Sequence, residues 1–305
     1  FTGSFSGQIE PGQEQKVPLF FSPKEPKTYS GEVTVNLSVG QGTTSLEISG
    51  TAAAPLPAPR GMTTVLTGQL PPGSAFAGKE VKTFHIATHE VTWGEWNALR
   101  EFAANNGYDL PTAPEGATPN RPVRNLTWHD AVKFCNARSQ QENLQPVYAV
   151  NGEIYRSGIA TPVANPEANG YRLPTEIEWE WAARGGPLSN GHNFSGSDKP
   201  EEVGWYEKNS NGGVKPVGLK NANELGLHDM SGNVWEWCKD TYNGKTLRNL
   251  DGDHTSDREG GADRIFRGGS YLNSPSFARA GFRFSYAPGR RLPSLGLRPA
   301  MAVLP

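Results

Sequence analysis

The sequence predicts a loop-rich α+β domain over residues 61–305, preceded by a short all-β segment over residues 1–51. Three observations carry this reading. Residues 31–39 alternate strictly, with Val33, Val35, Leu37 and Val39 on one face, as a half-buried strand does. Thr92, Thr127 and Thr175 each precede an apolar stretch and are followed three residues later by Glu95, Asp130 and Glu178, the capping-box sign of a helix start. Finally, 36 glycines and 25 prolines make up one residue in five, while eight tryptophans supply large core anchors. That combination fits many shaped turns around an aromatic core rather than disorder.

In chain order, Gln15–Phe21 (Val17, Leu19, Phe20, Phe21) reads as a strand, Gly31–Val39 as a second, and Ser45–Thr51, with Leu46 and Ile48, as a third. Residues 52–60, Ala-Ala-Ala-Pro-Leu-Pro-Ala-Pro-Arg, form a linker whose prolines favour extended polyproline II geometry and a semi-rigid spacer. In the larger domain the first helix follows Thr92 and carries Trp96, Leu99 and Phe102. The second follows Thr127 and carries Ala131, Val132 and Cys135. The third follows Thr175, sets Ile177 and Trp181 on one face, lets Glu180 pair with Arg184 at i,i+4, and ends at Gly185-Gly186. Trp96, Cys135 and Trp181 are expected in the core. Residues 187–220 and 239–263 are polar, Gly/Asn/Asp-rich and aperiodic, and read as long surface loops. No period of about 20–50 residues recurs, which argues against a solenoid or propeller.

A formal charge of −2 gives no electrostatic ground for nucleic acid or an anionic membrane as partner. No run approaches the ~18 apolar residues of a membrane helix. No signal peptide is legible, and the opening at Phe1 reads as a processed or partial product. Cys135 and Cys238 fit one disulfide or two buried thiols equally. There is no Gly-rich phosphate loop and no Gly-x-Ser-x-Gly. His85 and His89 would converge on zinc only on a helix, and Phe84, Ile86 and Val91 argue for a strand there. Residues 251–257 suggest a calcium loop but place Ala262 where its twelfth-position Glu belongs, so they read as a solvated acidic loop.

The densest motifs lie between residues 171 and 298. They are Tyr171-Arg-Leu-Pro-Thr-Glu-Ile-Glu-Trp-Glu-Trp-Ala-Ala-Arg-Gly-Gly186, Asn223-Glu-Leu-Gly-Leu-His-Asp-Met-Ser-Gly-Asn-Val-Trp-Glu-Trp-Cys238, Arg267-Gly-Gly-Ser-Tyr271 and Gly296-Leu-Arg298. Together they resemble the formylglycine-generating enzyme family, also called sulfatase-modifying factor. The resemblance implies a C-type-lectin-like fold of small twisted sheets, few helices and much irregular chain. Enzymes of that family oxidise a substrate cysteine with two cysteines, five apart, that follow the Gly-Gly-Ser-aromatic motif and surround copper with its serine. Here those positions are Asn273 and Ala278. Copper(I) prefers thiolates, and an amide, a methyl group and Ser270 do not replace them, so no copper is expected. Gly268-Gly269 then needs no role beyond a tight turn.

Glu236 alternates with Trp235 and Trp237, so it leaves the aromatic face and needs a partner if buried. The family's calcium site implies Asn233 and Glu236 as side-chain ligands of calcium. A salt bridge from Glu236 to Arg172, Arg267 or Arg298 is the other reading. The segment 271–298 interleaves aromatic and basic residues, and in relatives it forms the ligand face. Ser270, Tyr271, Asn273, Phe277, Tyr286, Arg290 and Arg291 are therefore candidate binding residues, set against the plainer reading that alternate aromatics fill the core and the arginines pair or stay solvated. The expected function is a non-catalytic binding or structural module at a bacterial cell surface, outside the cell or in the periplasm, with a protein or glycan partner. A sulfatase-modifying oxidase is one alternative. The other, a subunit of a surface filament or envelope assembly, comes from residues 1–51. Through Ile9-Glu-Pro-Gly12, Phe20-Phe-Ser-Pro23 and Ile48-Ser-Gly-Thr51 these resemble the end of an immunoglobulin-like sandwich. A whole sandwich takes ~7 strands, so the segment reads as incomplete and open to pairing with a strand from elsewhere.

Overall fold

The computed structural model describes residues 28–36, 43–51, 58–113, 117–242 and 262–303. The chain divides into two compact units, Phe1–Pro57 and Ala58–Pro305. In the first, β1 (Thr28–Asn36) and β2 (Thr43–Thr51) pair antiparallel, with Val33 opposite Leu46. The expected strand at residues 15–21 and most of the 52–60 linker lie outside the described residues. Strands β1 and β2 are what the described residues show of that unit.

The second unit opens with β3 (Met62–Val65), β4 (Gly68–Gln69), β5 (Glu80–Val81) and β6 (Phe84–Ala87). His85 stands on β6, so the strand reading of that stretch holds. Helices α1 (Trp93–Asn105) and α2 (Trp128–Gln141) follow, then the short strands β7 (Tyr148–Val150), β8 (Glu153–Ile154), β9 (Val163–Ala164) and β10 (Tyr171–Arg172). Helix α3 (Glu176–Ala183) precedes the single turn α4 (Pro200–Val203) and β11 (Gly204–Trp205), which interrupt what the sequence suggests is one long loop. The chain then runs through β12 (Ser231–Gly232), β13 (Trp235–Thr241), β14 (Arg264–Arg267), β15 (Arg283–Tyr286), β16 (Leu295–Gly296) and β17 (Ala300–Ala302).

All three helices start where local chemistry directs. Thr92, Thr127 and Thr175 are N-caps in extended conformation. Each hydroxyl accepts from the N3 backbone N–H, and the N3 carboxylate accepts from the cap N–H in return, at 2.8 Å for Glu95, 2.9 Å for Asp130 and 2.7 Å for Glu178. Arg172 clamps Glu178 with two 2.7 Å bonds and so braces the third box. Replacing any one of these threonines by Ala should lower stability by ~1 kcal/mol, read as a shift in the urea midpoint with unchanged slope. An unchanged midpoint would show that the box contributes nothing there. At the other end of α3, Glu180 accepts from Arg184 at 2.8 Å, and Gly185 turns the chain at φ +90°.

Strands β10, β17, β6 and β3, in that order, form one antiparallel sheet. Strands β15, β14, β13 and β16 form another, whose last pair is parallel. Successive side chains of a strand point to opposite faces, and this second sheet uses that to separate two cores. Trp237 and Phe266 join Trp96, Trp128 and Phe134 on the α1–α2 side. Cys238 and Ile265 join Trp179, Phe84 and Ile86 on the α3 side. Trp96 stacks on Phe134 with ring centres 4.9 Å apart, which locks α1 onto α2. Cys135 and Cys238 are buried free thiols in different cores, which excludes the disulfide. Burial pushes the Cys135 thiol up to about 12 and Cys238 well above its usual value, so neither is a ready nucleophile.

Candidate functional site

Strand β13 points Glu236 away from its tryptophan neighbours into a fully buried ionic cluster. Arg298 donates to Glu236 Oε1 at 2.8 Å, and Trp179 Nε1 donates to Oε2 at 2.6 Å. The rest of the guanidinium is spent on the carbonyls of Ala87 (2.9 Å) and His228 (2.7 Å). Among the three arginines offered by the sequence, Arg298 is thus the partner. Arg172 serves Glu178, and Arg267 serves Glu176 (2.8 Å) and Glu180 (2.6 Å).

Asn233 sits at φ +58° just before that strand. Its Oδ1 accepts from the Lys215 N–H at 3.0 Å, and its Nδ2 donates to Glu90 Oε2 at 2.8 Å. The expectation that Asn233 and Glu236 hold calcium with their side chains is therefore corrected. Every side-chain oxygen of the pair already accepts a hydrogen bond from the protein, and a guanidinium occupies the place of the cation, so these residues do not fit calcium. Among the described residues no group of three or more His, Cys, Asp or Glu side chains is arranged as a metal cage.

Two members of this cluster escaped sequence reasoning. Glu90 accepts from the Val234 N–H at 2.9 Å as well as from Asn233. Asp229 accepts from the Gly218 N–H at 2.7 Å, and its other oxygen has no partner. Burial, and then the charges of Asp229 and Glu236, push the Glu90 carboxyl well above the usual carboxylate range. Burial also raises Asp229. The local sequence offers little signal, since Glu90 and Asp229 lie in the mixed stretches Thr88-His-Glu-Val-Thr92 and Leu227-His-Asp-Met-Ser231.

The turn after β14 is the second part of the site. Gly268 and Gly269 both have positive φ, and a Cβ on Gly269 would lie 2.9 Å from the Ala278 backbone, so the turn packs tightly against its own continuation. Ser270 donates to Asn273 Oδ1 at 2.5 Å, and the Ala278 carbonyl accepts from Ser231 at 2.9 Å. Ser270 (1 % exposed) and Tyr271 (7 %) are buried, which corrects their placement on a binding face. Tyr271 packs with Val214 and Val234 because its backbone is held by the Asn233 carbonyl (2.8 Å) and the Ser210 hydroxyl (2.9 Å).

The other candidates do reach the surface. Asn273, Phe277 and Tyr286 are half-buried, and Arg290 and Arg291 are exposed. Arg291 is tied to Asp130 at 2.9 Å and to the Asn125 carbonyl at 3.0 Å. Phe277 meets Phe282 with ring centres 4.7 Å apart, and both lean on Trp235. Phe284 lies 6.4 Å from Trp235 and 6.5 Å from Tyr286, over which Arg290 stands at 5.2 Å. The result is a row of half-buried rings, Phe277, Phe282, Phe284 and Tyr286, gathered over Trp235, which is itself buried. Among the described residues no helix is long and apolar enough to cross a membrane.

Comparison with known proteins places this arrangement. Residues 49–303 match the model of the sulfatase-modifying factor enzyme 1-like domain. The chain is 36% identical over 252 residues to a protein named chaperone protein LppX from Paenibacillus barcinonensis, covering 74% of this chain and 83% of that one. It is 30% identical over 211 residues to the formylglycine-generating enzyme of Streptomyces coelicolor, covering 61% of this chain and 56% of the enzyme. The solved structure of CarF superposes with a TM-score of 0.70 at 30% identity, covering 80% of this chain and 99% of CarF. The architecture is thus the loop-rich, C-type-lectin-like one of the formylglycine-generating enzymes.

Proposed function

The chain belongs to the sulfatase-modifying factor enzyme 1-like family, and we propose that within it the protein is a non-catalytic binding module of the bacterial cell surface. One observation carries this reading. The two positions that follow the Gly-Gly-Ser turn are Asn273 and Ala278; the amide oxygen of the first accepts from Ser270, and the second has no donor atom. Copper(I) held by thiolates has no ligand set here, and the two thiols the chain does have are buried in separate cores. A relative named as a chaperone favours a protein over a glycan as partner, and the half-buried aromatic row is the surface suited to receive it.

Two measurements test the proposal. Purified protein should carry copper far below one equivalent by elemental analysis, and a sulfatase-type cysteine peptide should leave incubation without an aldehyde product by mass spectrometry. Stoichiometric copper or peptide turnover would establish the oxidase instead.

A further inference from the structure

Resting on that reading of the aromatic row as the binding face, we propose that the partner presents an acidic polypeptide segment in extended form, with apolar side chains set between its carboxylates. Charge along this chain is segregated. Residues 264–305 hold seven arginines and not one Asp or Glu, which leaves 22 cations against 31 carboxylates in the first 263 residues. Five of the seven are already engaged. Arg267 and Arg298 are buried in ion pairs, and Arg283 donates to Glu176 at 2.6 Å. Arg291 pairs with Asp130, while Arg264 lies 3.9 Å over the Trp128 ring and donates to the Lys239 carbonyl. Arg279 and Arg290 are exposed, and neither meets a carboxylate among the described residues.

Along the chain, these two lie on either side of the Phe282–Tyr286 stretch. Arg279 lies in the turn between Phe277 and Phe282, its carbonyl accepting from the Phe282 N–H at 2.9 Å. Arg290 covers Tyr286 at the other end. Between them, Phe284 and Tyr286 stand two residues apart on β15 with ring centres 6.5 Å apart, and Phe282 and Phe284 both rest on the buried Trp235. An extended chain places same-face side chains about 6.6–6.8 Å apart, so two of its alternate residues can match the Phe284–Tyr286 pair. Half-buried aromatics supply the apolar contact, and a guanidinium at each end offers a forked pair of donors to a carboxylate. A neutral glycan could lie on the rings but would leave both guanidiniums without a counter-charge.

The test is panning of a random-peptide display library on the intact chain. Enriched peptides should carry Asp or Glu around aromatic or aliphatic residues. A synthetic copy should bind Arg279→Glu/Arg290→Glu roughly tenfold more weakly or worse, and should weaken as salt rises from about 50 mM to about 500 mM. Binding to Lys82→Glu, which changes an exposed cation outside the row, should be unaltered. Both arginines of the double variant are exposed, so it should melt like the parent. Peptides that lose binding on Phe277→Ala yet ignore the arginine reversals, or that are enriched in Lys and Arg, would overturn the acidic partner and leave the face standing. Binding indifferent to Phe277→Ala in a folded variant would overturn the face itself. No enriched peptide, or a glycan array hit abolished by the same variants, would also overturn the inference.

Discussion

Arg298→Met should cost about 3–5 kcal/mol of folding stability, because it strands a buried carboxylate rather than removing a surface contact. Glu236 would keep the Trp179 N–H and lose the guanidinium paired with it, in a cluster where the charges of Asp229 and Glu236 already raise Glu90. The carbonyls of Ala87 and His228 would lose their donor as well. The loss carries a pH signature. A carboxyl that is harder to ionise in the fold than in the unfolded chain has its folded pKa raised. It costs nothing below the unfolded value and destabilises progressively as pH rises through the folded one. Glu90 already behaves this way, and the variant removes the Arg298 charge that holds it down. The deficit should therefore be larger at about pH 7 than at about pH 4, and Arg298→Met/Glu236→Gln should recover much of it. Urea titrations at both pH values check this, and a single variant as stable as the parent would remove the ion pair from the list of what holds the fold.

Trp179→Ala should be nearly as damaging, at about 3–5 kcal/mol. The indole is fully buried and sits where three elements meet. It comes from α3, donates to Glu236 on β13, and lies under Arg267 of β14 with the guanidinium carbon 5.3 Å from the ring. It also explains Gly268, where an added Cβ would come within 3.2 Å of the indole. Trp179→Phe keeps most of the volume and forfeits the hydrogen bond, so about 1–3 kcal/mol is expected. Thermal unfolding of the pair separates the two causes. Equal losses in both variants would mean that the hydrogen bond, not the filled space, accounts for the effect.

What could be read in advance follows from how local each signal is. A capping box lies within four residues, so Thr92, Thr127 and Thr175 announce their helices without knowledge of the rest of the molecule. Alternation along β13 likewise sends Glu236 away from its tryptophans. The partner of Glu236 is another matter. Side-chain oxygens look the same whether they await a cation or a guanidinium, and the choice is made by Arg298, which arrives from the far end of the domain. Glu90 meets Asn233 across 143 residues, beyond any periodic pattern. Strands of two to four residues, such as β10 and β16, are too short to show a period at all. Ser270 and Tyr271 sit in an aromatic and basic stretch that looks like a surface, and are buried because backbone bonds to Asn233 and Ser210 turn them inward.

Strand β17 has a bearing on the order of assembly. It lies between β10 and β6, and β6 in turn holds β3, so one sheet joins the opening of the domain to residues 300–302. Arg298, just before it, neutralises the core of β13. A chain emerging from the ribosome can form its three capped helices early, since those contacts are local. It cannot close this sheet or balance Glu236 until residues 298–302 have cleared the exit tunnel. Long-range closure of this kind folds slowly and leaves apolar faces uncovered while it waits. A nascent chain stalled before Arg298 should therefore remain open to proteases throughout the second unit, and protection there should appear in a single step once residue 302 is free.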